Sequence, residues 1–234
     1  HSRQHKHADD LNFYLYDKDL PIIVDSGTYK YEYEDPQRIY VESTRAHNTI
    51  EIDGLNNSRL LKDKYGSCLL NALQFNELYY FNAQIEHKRL FPINKSVFKQ
   101  KKVDSIKVNI IQNRKLYYIP QNLLIIYDQL IGPDNHIFKQ WFHFNPNLHL
   151  IKNKNFIECF DDKDNKIANI YSYLIGDKLL DPEIIRGEKE PDLQGWVSNY
   201  DGTKLEPNYA LGFGIEASNG SIVTIIDLNC NNKK

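Results

Sequence analysis

Three short segments near the start of the chain carry the side chains best suited to chemistry. Two histidines separated by one residue, His5 and His7, would lie on the same side of an extended chain, because side chains repeat every two residues in a strand. Asp25 ends an apolar run, and His47 stands just before an alternating apolar run. If these segments are neighbouring strands, imidazoles and a carboxylate converge, and that donor set is a common first shell for zinc.

The same residues also have plainer interpretations. With eight histidines in the chain, a His-x-His pair also arises as a surface or strand-edge pair. Asp25 is followed by Ser26 and Gly27, and an Asp in that context often bonds its own backbone in a turn. On residue chemistry alone, a zinc site, a hydrogen-bonded cluster and ordinary surface histidines all stay open.

The composition argues against several classes of partner. The formal net charge is −2 and the pI is near 6.5, which does not favour a nucleic acid or an acidic membrane surface. No apolar run approaches the roughly 20 residues that a membrane helix needs. Cys68, Cys159 and Cys230 are widely spaced and odd in number, so we expect buried free thiols and not a disulfide framework or a thiolate metal site.

The local pattern predicts strands throughout. Aromatic and β-branched residues, often at period two and broken by Asn, Asp, Gly and Pro, are typical of half-buried antiparallel strands. The clearest runs are 10–17, 20–24, 29–34, 77–81, 108–111, 116–119, 123–127, 137–144, 167–174 and 222–226. Helical spacing with caps is nearly absent, and no repeat or linker is visible. The sequence therefore predicts one all-β domain over residues 1–234, a large antiparallel β-sandwich of two sheets.

Three motifs carry a resemblance to a known family. They are His-x-His-x-Asp-x-Leu-x-Phe at 5–13, Val-Asp-Ser-Gly-x-Tyr at 24–29, and Arg-x-Tyr followed by Ala-His-Asn-Thr and Asp-Gly at 38–54. Together these segments resemble the heparinase II/III C-terminal domain of bacterial polysaccharide lyases. Weaker similarities follow at 141–146 and 195–207.

This resemblance implies a large antiparallel β-sandwich and an activity that belongs to a longer protein. Lyases of the family cleave uronic-acid polysaccharides, such as heparin/heparan-like or alginate-like chains, by β-elimination. The sugar carboxylate is neutralised, a base removes the C5 proton, and an acid assists departure of the O4 sugar. In such lyases the acid/base Tyr and a carboxylate-binding Asn come mainly from an N-terminal α/α toroid. The present chain opens on His1 and contains no Met, so we expect a C-terminal fragment that is inactive or weakly active alone.

The resemblance also implies roles for individual residues. It makes His5 the histidine of the catalytic cleft, and it makes His7, Asp25 and His47 the ligands of one zinc ion that is mainly structural. Zinc that ties three segments together would hold the neighbouring His5 at a fixed angle, as second-shell groups orient a first shell.

Five further residues are expected to bind substrate or to support the site. Asp9 would orient an imidazole, and Arg45 and Asn48 could reach a sugar carboxylate, since Arg binds carboxylates bidentately. Tyr29 and Tyr40 are phenols that could replace a missing acid. The plainer interpretations are that Asp9 is a solvated acid, that Arg45 and Asn48 support a turn, and that the two tyrosines serve packing.

The expected partners are an acidic polysaccharide substrate and the N-terminal toroid of the same chain, and the sequence leaves a homodimer open. The expected location is the bacterial periplasm or the outside of the cell. Two alternative functions remain. One is a non-catalytic carbohydrate-binding or structural β-sandwich module with a structural metal. The other is a cupin-like metal enzyme, for which the His-x-His spacing and the Asp-Ser-Gly context fit less well.

Overall fold

The computed structural model describes residues 6–58, 68–94, 104–176 and 178–230. Helical structure in these ranges is limited to one α-helix, α1 at Pro36–Val41, and a 3-10 turn at Thr44–Ala46. The strands are β1 Leu15–Asp17, β2 Leu20–Ile23, β3 Ile50–Ile52, β4 Leu55–Asn57, β5 Cys68–Phe75, β6 Leu78–Pro92, β7 Ile106–Ile119, β8 Leu123–His143, β9 His149–Lys152, β10 Ile157–Phe160, β11 Lys166–Leu174, β12 Lys178–Leu179, β13 Pro182–Arg186, β14 Trp196–Ser198, β15 Leu205–Pro207 and β16 Tyr209–Asp227. The predicted all-β fold with almost no helix is confirmed.

Twelve of the strands form one antiparallel sheet. Its order is β3-β4-β6-β7-β8-β16-β11-β10-β9, with β5, β12 and β13 added at β6, β11 and β16. Strand β3 also pairs with β8, with Ile50 opposite Gln140, so five strands form a closed ring. The β-rich architecture expected from the sequence therefore contains a small barrel-like closure, which the sequence did not predict.

The long strands change partners along their length. Residues 123–131 of β8 pair with β7, whereas residues 138–140 pair with β3. The register between β8 and β16 shifts between Ala217 and Asn219, and irregularities of this kind bend a strand. The runs 123–127 and 137–144, which the sequence suggested as separate strands, are thus two parts of one bent strand.

Most of the core is one large cluster of buried apolar side chains contributed by both parts of the bent strands. Along the first part of β8, buried and half-buried residues alternate, as the period-two pattern predicts. Among the fully buried side chains are Phe138, Phe142 and Phe213. Burial of such side chains contributes about 1.5–3 kcal/mol each.

All three cysteines are free, but the expectation that they are buried holds only for Cys159, because Cys68 is exposed and Cys230 is half-buried.

Two predicted strands near the start of the chain are largely wrong. In the run 10–17, only Leu15–Asp17 forms a strand, because Leu11 has a left-handed φ of 61° that interrupts extended backbone. The run 29–34 forms no strand. Its Tyr31 and Tyr33 pack against the guanidinium of Arg38 at 5.2 and 4.6 Å, so these rings serve a local cluster instead of a sheet face.

A buried ion pair connects the sheet to the loops around the first strands. Nε and Nη2 of Arg114 donate to the two oxygens of Asp128 at 2.8 and 2.6 Å, and both side chains are almost completely buried. Gln140 Nε2 also donates to Asp128, at 2.7 Å. The remaining Arg114 nitrogen, Nη1, donates to the backbone oxygens of Leu11 and Asn48 at 2.9 and 2.5 Å. Arg114 therefore fixes two loops to the sheet.

Replacement of Arg114 by Leu tests this connection. The substitution leaves the carboxylate of Asp128 buried without its cation, which typically costs about 3–5 kcal/mol. We expect the free energy of unfolding, measured by urea denaturation, to fall by about that amount. Lys139→Ala is the control, because its pair with Glu183 is on the surface and should contribute at most about 1 kcal/mol. Equally small losses in both variants would contradict the assignment.

Candidate functional site

Three loops meet near the end of β8. They are residues 6–14 before β1, residues 24–29 after β2, and residues 42–49 between α1 and β3. Each contributes one side chain to a cluster in which the ligand-type atoms of His7, Asp25 and His47 all lie within 4.8 Å of one another. The structure thus brings together the residues that the sequence suggested would converge, but it carries them on loops and not on neighbouring strands.

His47 and Asp25 form the buried centre of this cluster. His47 is fully buried, and its Nδ1 lies 2.6 Å from Asp25 Oδ1. Burial alone would raise the pKa of Asp25, but the charge and the hydrogen bond of His47 outweigh burial and lower this pKa to about 2. Burial likewise would lower the pKa of His47, and the carboxylate of Asp25 raises it instead. Each side chain therefore stabilises the charged form of the other.

His7 completes a donor set of two imidazoles and a carboxylate. Its ring centroid lies 5.3 Å from that of His47, with the ring planes tilted by 43°. Nε2 of His47 is buried and has no hydrogen-bond partner among the described residues. A buried polar atom without a partner is costly, and zinc binds His nitrogen and Asp oxygen at about 2.0–2.2 Å. The chemistry of the three side chains and their mutual separation therefore suit a zinc ion.

Asn48 holds the loops of the site together. Its Nδ2 donates to the backbone oxygens of Phe13 and Val24 at 2.9 and 2.8 Å, and its Oδ1 accepts from the backbone N–H of His143 at 2.7 Å. The residue is fully buried. Because both polar atoms of its side chain are engaged within the chain, Asn48 supports the site and does not face a sugar.

Asn12 is a site residue that the sequence analysis missed. Its Nδ2 donates to Asp25 Oδ1 at 2.7 Å, and its Oδ1 accepts from the backbone N–H of Asn48 at 2.8 Å. One carboxamide thus connects the carboxylate of the cluster to the backbone beside His47. In the sequence, Asn12 is one polar residue in the alternating run 10–17, and that alternation predicts a strand and not a site residue.

Two further polar residues adjoin the carboxylate of Asp25. Burial raises the pKa of Asp9, an effect that the nearby His47 only partly offsets. The side chain of Tyr14 is 59% exposed, but partial burial of its hydroxyl, the negative charges of Asp25 and Asp9 and a hydrogen bond to Asp25 raise its pKa to about 12. His47 and Asp9 therefore interact electrostatically, whereas the orientation of an imidazole by Asp9 stays a prediction. Tyr14 was not expected at the site.

Arg45 and Tyr40 are engaged in interactions within the protein. Arg45 donates to both carboxylate oxygens of Glu51 at 3.1 and 3.2 Å and to Asp192 at 3.1 Å. The hydroxyl of Tyr40 donates to the backbone oxygen of Trp196 and accepts from its N–H, both at 3.2 Å. Burial raises the pKa of Tyr40. In this arrangement, both residues support the packing of the loops.

Two predicted site residues remain, Tyr29 and His5, and the structure describes only Tyr29. Tyr29 is buried but borders a cavity beside His7. His5, the predicted histidine of the cleft, lies outside the described residues.

Within the described ranges, no helix has the length and apolarity needed to cross a membrane.

Comparison with known proteins identifies the family. The sequence profile described as heparinase II/III-like, C-terminal, matches residues 1–219, so the chain belongs to this family, as the motifs predicted. Similar solved structures include heparinase III, with a TM-score of 0.68, 15% identity, and coverage of 95% of this chain and 30% of that one. A heparan sulfate lyase from Pedobacter heparinus gives a TM-score of 0.67, 16% identity, and coverage of 95% and 31%.

These two similarities define a shared fold. The present chain spans about 30% of the length of the solved proteins that it resembles. No curated protein matches its sequence significantly.

Asn48→Ala tests whether this residue holds the loops. The change leaves the backbone groups of Phe13, Val24 and His143 without their partners, and each unpaired buried group costs about 1–3 kcal/mol. We expect the free energy of unfolding to fall by at least about 3 kcal/mol in urea denaturation. Asn155→Ala, at an exposed position, should change it by less than about 0.5 kcal/mol. A loss no larger than that of the control would rule out the role given to Asn48.

Proposed function

We propose that this chain is the C-terminal part of a polysaccharide lyase that acts by β-elimination. The proposed substrate is a uronic-acid-containing polysaccharide of the heparin/heparan or alginate type. Membership of the heparinase II/III-like C-terminal family supports this proposal. The observation that carries it is the convergence of His7, Asp25 and His47 from three separate loops, with ligand-type atoms within 4.8 Å.

The same cluster is proposed to bind one zinc ion with a mainly structural role. When bound, zinc would supply strong bonds that tie the three loops together, which adds to folding stability. The buried Nε2 of His47 without a hydrogen-bond partner supports this role. Asn12 would orient the carboxylate of Asp25 from outside the ligand set, as outer-shell hydrogen bonds do in metal sites.

His5 is proposed to take part in proton transfer in the catalytic cleft. It precedes His7 by two residues, so a fixed His7 limits the directions in which the chain can present His5. Proton transfer requires a group within about 3 Å of the reacting atom, which makes such fixation useful. The Tyr and Asn of the reaction would come from an N-terminal α/α toroid of the same polypeptide, and the whole enzyme would work in the periplasm or outside the cell.

A non-catalytic module is the second candidate function. It is favoured by the hydrogen bonds that Arg45, Asn48 and Tyr40 make within the chain. The polar groups that make these bonds are already engaged, so they would not be free to bind a sugar. In that case the metal would serve stability alone, and the chain would hold a glycan or a partner domain.

Metal analysis tests the proposed ligands. We expect a single zinc ion per chain in the purified wild-type protein, by mass-spectrometric elemental analysis after dialysis. His7→Ala and Asp25→Ala should each lose it, because each removes one of three donors. His149→Ala should keep it, because His149 stacks on Phe160 outside the cluster. A well-folded wild-type chain that takes up no zinc would overturn the metal site.

Turnover by the full-length parent tests the proposed reaction. His5→Ala should lower the rate by about 10²–10⁴-fold, the usual contribution of a positioned acid or base. Ultraviolet absorbance of the unsaturated sugar product provides the measurement. Zinc content and the thermal midpoint should stay at the wild-type values, which separates chemistry from folding. Unchanged turnover would favour the non-catalytic module.

A further inference from the structure

A cavity of about 330 Å³ opens beside the zinc-type cluster. His7 forms part of its wall, and most of the remaining wall comes from residues 28–31 and from residues 200–203, which lie between β14 and β15. None of its lining residues other than His7 belongs to the proposed metal ligands. A ligand in this cavity would therefore lie next to the cluster without replacing any of its donors.

Two tyrosines present exposed rings at this cavity. The side chain of Tyr31 is 74% exposed, and Tyr200 is fully exposed. Neither ring belongs to the apolar core. Exposed aromatic groups that line a concave site provide broad apolar faces with a polar hydroxyl, which is the chemistry that a sugar ring with its apolar face and its hydroxyls can use.

The segment that carries Tyr31 is fixed by Arg38. The guanidinium of Arg38 lies 5.2 Å from the centre of the Tyr31 ring and donates to the backbone oxygen of Lys30. Nε of Arg38 donates to Glu42 at 2.8 Å, which orients the guanidinium in turn. Tyr31 is therefore an exposed ring on an ordered support, and such preorganisation lowers the entropy lost on binding.

The loop that carries Tyr200 is fixed by hydrogen bonds to its backbone groups. Gly202 accepts a hydrogen bond from the N–H of Lys30 at 3.1 Å, which joins the two walls of the cavity. Asn199 Oδ1 accepts from the N–H groups of Thr203 and Lys204, both at 2.9 Å. The two rings are thus held on segments that are already tied to each other.

Four charged side chains line the cavity, and two of them, Arg38 and Glu42, pair with each other, which leaves Lys30 and Asp201. Lys30 is exposed, its ammonium lies 5.2 Å from the centre of the Tyr29 ring, and none of the described acidic residues forms an ion pair with it. The acid at the rim, Asp201, already accepts from the N–H of Thr203 at 3.0 Å. Lys30 is therefore the cation of this site that is available to a ligand carboxylate.

We propose that this cavity binds a uronic-acid unit of the polysaccharide beside the metal cluster. Tyr31 and Tyr200 stack on the sugar faces, and Lys30 pairs with the sugar carboxylate. The substrate class rests on the proposed function, whereas the binding residues are assigned from the cavity itself. His7 in the cavity wall places the bound sugar next to the segment that carries His5.

Isothermal titration calorimetry with defined oligosaccharides tests this subsite. The probes are an unsulfated heparan-type hexasaccharide, an alginate hexasaccharide, and carboxyl-reduced forms of both. We expect at least one acidic probe to bind the wild-type chain and its reduced form to bind more weakly. Tyr31→Ala and Tyr200→Ala should each weaken binding by about 3- to 10-fold, the range of a single aromatic contact. Lys30→Ala should weaken the acidic probe but not the reduced one, and Lys30→Arg should restore it.

Tyr173→Ala is the matched control, since Tyr173 is 39% exposed on β11 and does not line the cavity. It should bind like the wild type. Wild-type affinity in both Tyr200→Ala and Lys30→Ala, or no binding of any acidic probe to the wild-type chain, would overturn the subsite. Zinc content of the same preparations is measured separately, so loss of the subsite and loss of the metal site are distinguishable.

Discussion

The candidate site depends on the hydrogen bonds that one buried asparagine makes with its surroundings. The carboxamide of Asn48 binds Phe13, Val24 and His143, and its backbone oxygen accepts from Arg114 in the core. The loops that meet there have few ladder hydrogen bonds of their own, so side chains must satisfy their backbone groups. The sheet is the scaffold, and the hydrogen bonds of Asn48 hold the loops in a fixed position against it.

This anchoring separates the site into a buried part and an exposed part. His47 directly precedes the anchored Asn48 and is fully buried against Asp25, where a bound metal ion would hold the loops together. His7 belongs to both parts, because it joins the cluster on one side and borders the cavity on the other. In the proposed function, the two members of the His-x-His pair have different tasks: His7 holds the loops and His5 takes part in proton transfer.

The sequence predicted the strands well where burial alternates along one chain, as in β8 and β11, because period two is a local property. It predicted the family and the convergence of the cluster from motifs. It did not predict the role of Asn12, which depends on a left-handed residue at Leu11 and on partners 13 and 36 residues away. Contacts such as Tyr40 with Trp196, 156 residues apart, leave no local pattern to detect.

The central claim is that His7, Asp25 and His47 bind one metal ion together. X-ray absorption at the zinc edge of the purified chain tests it most directly, because the spectrum reports the atoms bound to the metal. The account predicts a shell with the multiple scattering of two imidazoles and a light-atom oxygen donor, reduced to one imidazole in His7→Ala. A shell of water oxygens alone, or one with sulfur, would contradict it.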